Sequence, residues 1–232
     1  AEQPRHAALR ILQAQTDLLM HSGRFNESEK IYRQILDASA DDLEALRTLF
    51  SRARTRGDVN GALEWLGRLE KVQPESVQVQ RDRVEILEGA GQFEPALAVL
   101  NAALPQLGGD PDWNERRGRL LLRLGRSDLA VQAYRRALEL EPGHTDARLN
   151  LGRLLHEAGQ VAAAEAHYRA AIEARPDDAT AWFNLGVALE DQEKDVEAVD
   201  AYRLAIQLDP QSPDAHYNLG HLYERMGRQA LA

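Results

Sequence analysis

Small, large and helix-ending residues recur along the chain at a fixed interval. Gly23, Gly57, Gly91, Gly125 and Gly159 are each 34 residues apart, and the next two steps fall on Glu193 and Gly227. Five residues after each of these positions lie Ser28, Ala62, Ala96, Ala130, Ala164, Ala198 and Ala232, all small. Nine after them lie Tyr32, Leu66, Leu100, Tyr134, Tyr168 and Tyr202, all large. Seventeen after them, Pro74, Pro142, Pro176 and Pro210 end the segment, with Ala40 and Gly108 as exceptions. Upstream of the turn, Leu151-Gly152, Leu185-Gly186 and Leu219-Gly220 recur in register. A period of this length marks a stacked repeat in which each unit is one supersecondary element.

The residue types say what that element is. Glycine permits the left-handed backbone that closes a helix, and proline stops the following helix. Small residues let two helices of about 14 residues cross closely, and the large ones fill the space between neighbouring pairs. The pattern predicts thirteen principal helices: two in each of six hairpins (9–42, 43–76, 77–110, 111–144, 145–178 and 179–212) and one in a partial seventh (213–232). Ala130, Ala164 and Ala198 should be buried at the crossings. A lone hairpin leaves an apolar face open, so it must stack on the next.

A helix–turn–helix of 34 residues with this spacing, as in Trp182-Phe183-Asn184-Leu185-Gly186, resembles the tetratricopeptide (TPR) repeat family across essentially the whole chain. The resemblance implies an all-α fold, a right-handed superhelical α-solenoid forming a single domain over 1–232. The last four repeats are near the family pattern. The first three depart from it, with Thr16, Phe50 and Val84 where the Leu-Gly glycine belongs, yet they keep the register without insertion. At Leu107-Gly108-Gly109-Asp110-Pro111, two glycines replace the proline end, either as a hinge or as another way to finish a helix, and the unbroken register favours the second. The chain opens at Ala1, a start compatible with processing such as signal-peptide cleavage, and stops at Ala232 where the second helix of repeat seven should begin. The expectation is that more protein follows, or that another chain covers the last helix, whose Tyr223 would face the missing one.

Composition narrows the function. Hydrophobic residues make up 44% and charged residues 28%, a folded rather than a disordered balance. The net charge of -9 argues against nucleic acid as a partner. No apolar run is long enough to insert in a membrane. The absence of cysteine removes disulfides and thiolate chemistry but leaves the compartment open between cytoplasm and periplasm. No phosphate loop, dinucleotide fingerprint, zinc helix or calcium loop is legible, so the chain reads as not an enzyme, with no catalytic residue, cofactor or metal. Asn26-Glu27-Ser28 matches a glycosylation sequon, a signal that arises often by chance.

In the TPR family the first helix of each hairpin lines the groove, and ligand contacts cluster on one stripe of it. On that stripe the chain carries Asn150, Asn184 and Asn218, one slot in three successive repeats. The arrangement resembles the asparagine ladder of O-linked N-acetylglucosamine transferases, where amides read a peptide backbone; equally, such asparagines tie neighbouring repeats together. Beside them stand Leu149, Phe183, Val187 and Tyr217, which read as a contact surface or as packing between repeats. Arg47, Arg54, Arg81, Arg116, Arg119, Arg123 and Arg153 share the stripe. They suit carboxylate ligands, but Arg81–Glu85, Glu115–Arg119 and Arg153–Glu157 are spaced to satisfy one another, and a solvated charged face is favoured. Residues such as Glu85 and Arg116 replace the asparagines of a two-carboxylate clamp, which disfavours chaperone tails.

The function expected is a protein–protein interaction scaffold whose groove takes an extended protein or peptide segment, acidic ones included. Arg119 and Arg153 would set an acidic preference. The alternatives are the substrate-recruiting portion of a larger enzyme such as a glycosyltransferase, and an adaptor in bacterial envelope assembly or export. Self-association through the uncapped last repeat is a further expectation.

Overall fold

The computed structural model describes residues 3–230, with side chains over 9–227. Fourteen helices and no strand lie among the described residues. The chain divides into two compact units, Ala1–Leu104 and Pro105–Ala232. Unit 1 holds α1 (Gln3–His21), α2 (Phe25–Ala38), α3 (Leu43–Thr55), α4 (Val59–Val72), α5 (Val77–Gly89) and α6 (Phe93–Ala102). The short α7 (Leu104–Leu107) begins at its last residue. Unit 2 holds α8 (Pro111–Arg123), α9 (Ser127–Leu140), α10 (Thr145–Glu157), α11 (Val161–Ala174), α12 (Ala179–Glu190), α13 (Asp195–Leu208) and α14 (Pro213–Ala230). Within each unit every helix packs on the next in sequence, as a stack of hairpins must. The first helix of each hairpin is called A below and the second B.

The turns are built as the glycine spacing predicts. Gly23, Gly57, Gly91, Gly125 and Gly159 have φ between 70° and 75°. The amide after each reaches back to the carbonyl five residues earlier, as in Asp58 N–H to Ala53 O (2.9 Å) and Gln160 N–H to Leu155 O (2.8 Å). This bond closes the A helix and starts the B helix in one step. At the sixth turn Glu193 adopts the same left-handed backbone, φ 58°, and Lys194 N–H bonds Leu189 O at 2.9 Å.

The crossings are close. Ala130, Ala164 and Ala198 are wholly buried, as are Tyr134 and Tyr202, with Tyr168 nearly so. In unit 2 a tyrosine ring of each B helix lies over a glycine of its A helix. A methyl group on Gly118 would stand 2.5 Å from the Tyr134 ring, on Gly152 2.7 Å from Tyr168, and on Gly186 2.6 Å from Tyr202. Gly118 does this without the leucine that precedes the glycine in later repeats, so the dipeptide pattern misses it.

Two expectations about helices are corrected. The B helix of repeat three is split, giving α6 and α7 in place of one helix and fourteen elements in place of thirteen. Pro105 is the cause: it has no N–H to continue the hydrogen-bond ladder of α6 and its ring crowds the carbonyl four residues back, so the helix breaks at Ala103 and restarts at Leu104. The turn expected at Gly227 is also absent, because α14 continues through it to Ala230. Gly227 has no left-handed φ, and no following helix lies among the described residues to pack back on α14.

Candidate functional site

In unit 2 the A helices α8, α10, α12 and α14 touch one another in succession, whereas the B helices pack chiefly on the A helices flanking them. Closer spacing on the A side makes it the inner face of this unit. The A helices are fixed at their starts in two ways. A side chain caps each one: Asp110 accepts from Trp113 N–H (3.2 Å), Asp178 from Ala181 N–H (3.1 Å) and Ser212 from Ala215 N–H (3.4 Å). His144 accepts from Ala147 N–H at 3.3 Å through Nδ1, and its Nε2 meets Asp112 at 3.1 Å.

The second device is a clasp across the preceding loop. Asn114 Nδ2 donates to Gly108 O (3.1 Å), Arg148 Nε to Pro142 O (2.8 Å) and Trp182 Nε1 to Pro176 O (2.8 Å). His216 Nε2 meets Pro210 O at 3.0 Å. All four occupy one register position, eleven residues before the turn. Because Asn, Arg, Trp and His share only a donor, the sequence shows no pattern there.

Some of the stripe residues line two depressions of unit 2. Arg119, Leu122, Arg123, Asn150 and Arg153 line a cleft of about 350 Å³ between α8 and α10. Phe183, Asn184, Thr180 and Ser212 help line another of about 300 Å³ near α12 and the start of α14. Phe183 leans on Tyr202 with ring centroids 5.9 Å apart. Leu149 and Val187 are half-buried, while Tyr217 is 74% exposed. Tyr223 is exposed as well, with the Arg203 guanidinium over its ring at 5.8 Å.

The three asparagines differ. Asn150 Nδ2 donates to Glu115 Oε1 at 3.2 Å, and Asn218 Nδ2 reaches Tyr202 Oη at 3.4 Å, so both tie adjacent repeats. The Asn184 amide makes no hydrogen bond to another described residue. Two of the expected intrahelical ion pairs form, Glu115–Arg119 at 3.5 Å and Arg153–Glu157. In unit 1, Arg47 donates to Gln73 (3.1 Å) and Arg54 lies over the Phe50 ring at 5.5 Å.

Glu115 is the stripe residue whose role the sequence pattern conceals. It occupies the slot that Leu149, Phe183 and Tyr217 fill in later repeats, and it is 7% exposed. Burial raises its pKa, with nearby Arg119 opposing the shift and Asp146 adding to it. The signal for it was a carboxylate in a slot that the three later repeats fill with leucine, phenylalanine or tyrosine. Beneath it the Tyr134 hydroxyl is buried without a partner, and burial pushes that phenol upward too. Tyr168 is raised to about 12 by the same cause. On α11, burial would raise Glu165, but hydrogen bonds from Lys194, Arg169 and Gln192 outweigh it and hold the carboxyl at about 2. That carboxylate ties hairpin five to the turn of hairpin six.

Among the described residues no group of His, Asp or Glu is placed to hold a metal ion, and no helix is long and apolar enough to cross a membrane. The sequon at Asn26 lies inside α2, where the Ser28 hydroxyl is buried and donates to Phe25 O at 2.8 Å.

Solved structures share this architecture. The chain matches YrrB, described as a TPR protein with an unusual peptide-binding site, at TM-score 0.64 and 20% identity, over 81% of this chain and 96% of that one. It matches MamA at TM-score 0.62 and 21% identity, over 80% and 94%. MamA 41-end from Desulfovibrio magneticus RS-1 aligns at TM-score 0.60 and 28% identity, over 65% and 85%. No curated protein matches the sequence significantly. Tetratricopeptide repeat models match residues 47–111, 115–179, 157–213 and 201–232. With the hairpin period, the glycine turns and these matches in agreement over most of its length, the chain belongs to the tetratricopeptide repeat family.

Proposed function

We propose that this protein is an interaction scaffold and that unit 2 holds an extended segment of another protein along its A-helix face. The observation that carries the reading is the convergence of an unengaged amide, an aromatic ring and two depressions on one face of four successive A helices. Asn184 offers both a donor and an acceptor to a peptide backbone. Asn150 and Asn218 each spend one N–H on a neighbouring repeat and keep their carbonyl oxygen and second N–H. Phe183 and the exposed Tyr217 supply apolar contact for side chains of the segment. The peptide-binding site named for YrrB supports the reading by kinship of fold.

The test is a peptide array probed with two variants. Changing Asn150, Asn184 and Asn218 together to Ala should weaken unrelated segments alike, by about 1 kcal/mol per lost amide contact, because the backbone is what they read. Phe183→Ala should instead separate partners by sequence. If the triple variant keeps every segment while Arg136→Glu on the outer helix α9 loses them, the reading is wrong.

A further inference from the structure

We infer that the cleft between α8 and α10 is a subsite for one acidic side chain of the partner segment, and that Glu115 beneath it is the residue that sets its selectivity. The inference rests on the groove reading above and adds the chemistry of the occupant. Three guanidinium groups, Arg119, Arg123 and Arg153, border the cleft together with the Asn150 amide, and Leu122 supplies its apolar wall. Arg119 and Arg153 remain 52% and 41% exposed, so their heads face solvent. Each guanidinium carries five N–H donors. Arg119 directs Nε at Glu115, and Arg153 directs Nη1 at Glu157, which leaves donor edges on both for a carboxylate arriving from outside. The chain as a whole is acidic, so a concentration of arginine at one cleft is a local feature with a preference opposite to that of the surrounding surface.

Glu115 gives the cleft its particular character. Its Oε1 accepts from Asn150 and lies 3.5 Å from Arg119 Nε, so it already occupies the inner side of these two groups. It holds Asn150 in place, and it also repels any second carboxylate brought to the same arginines. No other repeat of unit 2 has a carboxylate in this slot, where Leu149, Phe183 and Tyr217 stand. Two functions of the side chain are therefore separable by one substitution. Glutamine keeps the oxygen that accepts from Asn150 but removes the charge. Its effect should fall on acidic ligands alone, whereas a merely structural role would move all ligands together.

The experiment measures fluorescence anisotropy with labelled twelve-residue peptides of one Ser/Ala/Val/Leu frame, carrying two central glutamates, two glutamines or two lysines. The wild-type chain should bind the glutamate peptide about tenfold more tightly than the glutamine one at low salt, with the gap narrowing as salt is added. Glu115→Gln should strengthen the glutamate peptide by about a further tenfold and leave the glutamine peptide unchanged. Arg119→Gln with Arg153→Gln, two exposed positions that spare the fold, should erase the preference. Circular dichroism melts verify that each variant is folded. Equal binding of glutamate and glutamine peptides by the wild type, or an equal gain for both in Glu115→Gln, overturns the inference. If those peptides bind equally yet both are lost on Phe183→Ala, the groove stands and the acidic subsite falls. If no peptide binds, the groove reading falls with it.

Discussion

The two units solve one packing problem with different residues. In unit 2 the A and B helices cross where a glycine accepts a tyrosine ring: Gly118 with Tyr134, Gly152 with Tyr168, Gly186 with Tyr202. In unit 1 the same register positions hold Phe50 with Leu66 and Val84 with Leu100, all buried. The bulk has moved from the B helix to the A helix. Repeat one is intermediate, with Thr16 and Tyr32 both buried and the Thr16 hydroxyl satisfied by Gln13 O at 2.7 Å. Loop clasps differ in the same sense. The position that donates to the preceding loop in all four hairpins of unit 2 is the buried Leu46 in unit 1, or Gln80, which bonds Glu70 at 2.9 Å instead. What the fold conserves is the volume at a crossing and the 34-residue register, and either unit shows that the identity of the filler is free.

The largest test of this exchange is a double-mutant cycle at one crossing. Gly152→Val drives a side chain into the Tyr168 ring and should destabilise unit 2 by about 2–3 kcal/mol. Tyr168→Leu alone opens a cavity and should cost about 2–4 kcal/mol. Together they rebuild the Val84/Leu100 arrangement of unit 1, so the pair should recover more than half of the summed loss. Urea unfolding monitored by circular dichroism measures all three. Simple additivity would show that the two crossings are not alternative solutions to one volume.

A smaller effect separates the clasps. Arg148→Met removes the donors to Pro142 O while keeping the aliphatic stem, and should cost about 1 kcal/mol. Gln80→Met in unit 1 touches no loop carbonyl and should cost less than about 0.5 kcal/mol. Thermal melts of both variants compare them directly, and equal losses would remove the clasp as a distinction between the units.

The sequence makes some of these features plain and hides others for physical reasons. The turns were legible because a left-handed residue closing a helix is nearly always glycine, and the glycine spacing locates six A-to-B junctions. The buried alanines were legible because only small side chains fit a close crossing. Gly118 was obscured by the arginine before it, and the clasp by four residue types that share only a donor. The split at Pro105 follows from proline chemistry but is masked by a register that continues unbroken. On the stripe, the sequence places Arg119, Asn150, Arg153, Phe183 and Asn184 on one face. It does not show that Glu115 is buried or that Asn150 and Asn218 are already tied to neighbours, because those contacts join different hairpins.

At the turns between A and B helices, unit 1 uses glycine throughout and unit 2 once does not. Glu193 holds φ 58° with the same closing bond, Lys194 N–H to Leu189 O, that its glycine counterparts make. A left-handed residue with a Cβ costs roughly 1–2 kcal/mol. Glycine removes that strain but adds freedom to the unfolded chain, which returns part of the gain. The Glu193 side chain is exposed and makes no hydrogen bond or ion pair among the described residues, so its loss has no other cost. Glu193→Gly should therefore stabilise unit 2 by about 0.5–1 kcal/mol, read as a raised melting temperature with the peptide-binding face unchanged. The reverse substitution in unit 1, Gly57→Glu, should lower stability by about the same amount, since Gly57 has φ 71° and open space around its Cα. If Glu193→Gly were neutral while Gly57→Glu destabilised, the strain at the sixth turn would have to be offset by neighbours such as Lys194, whose ammonium bonds Glu165 at 2.7 Å across the hairpins. Combining Glu193→Gly with Lys194→Ala distinguishes the cases: an offset through Lys194 requires the two effects to be coupled, and independent strain requires them to add.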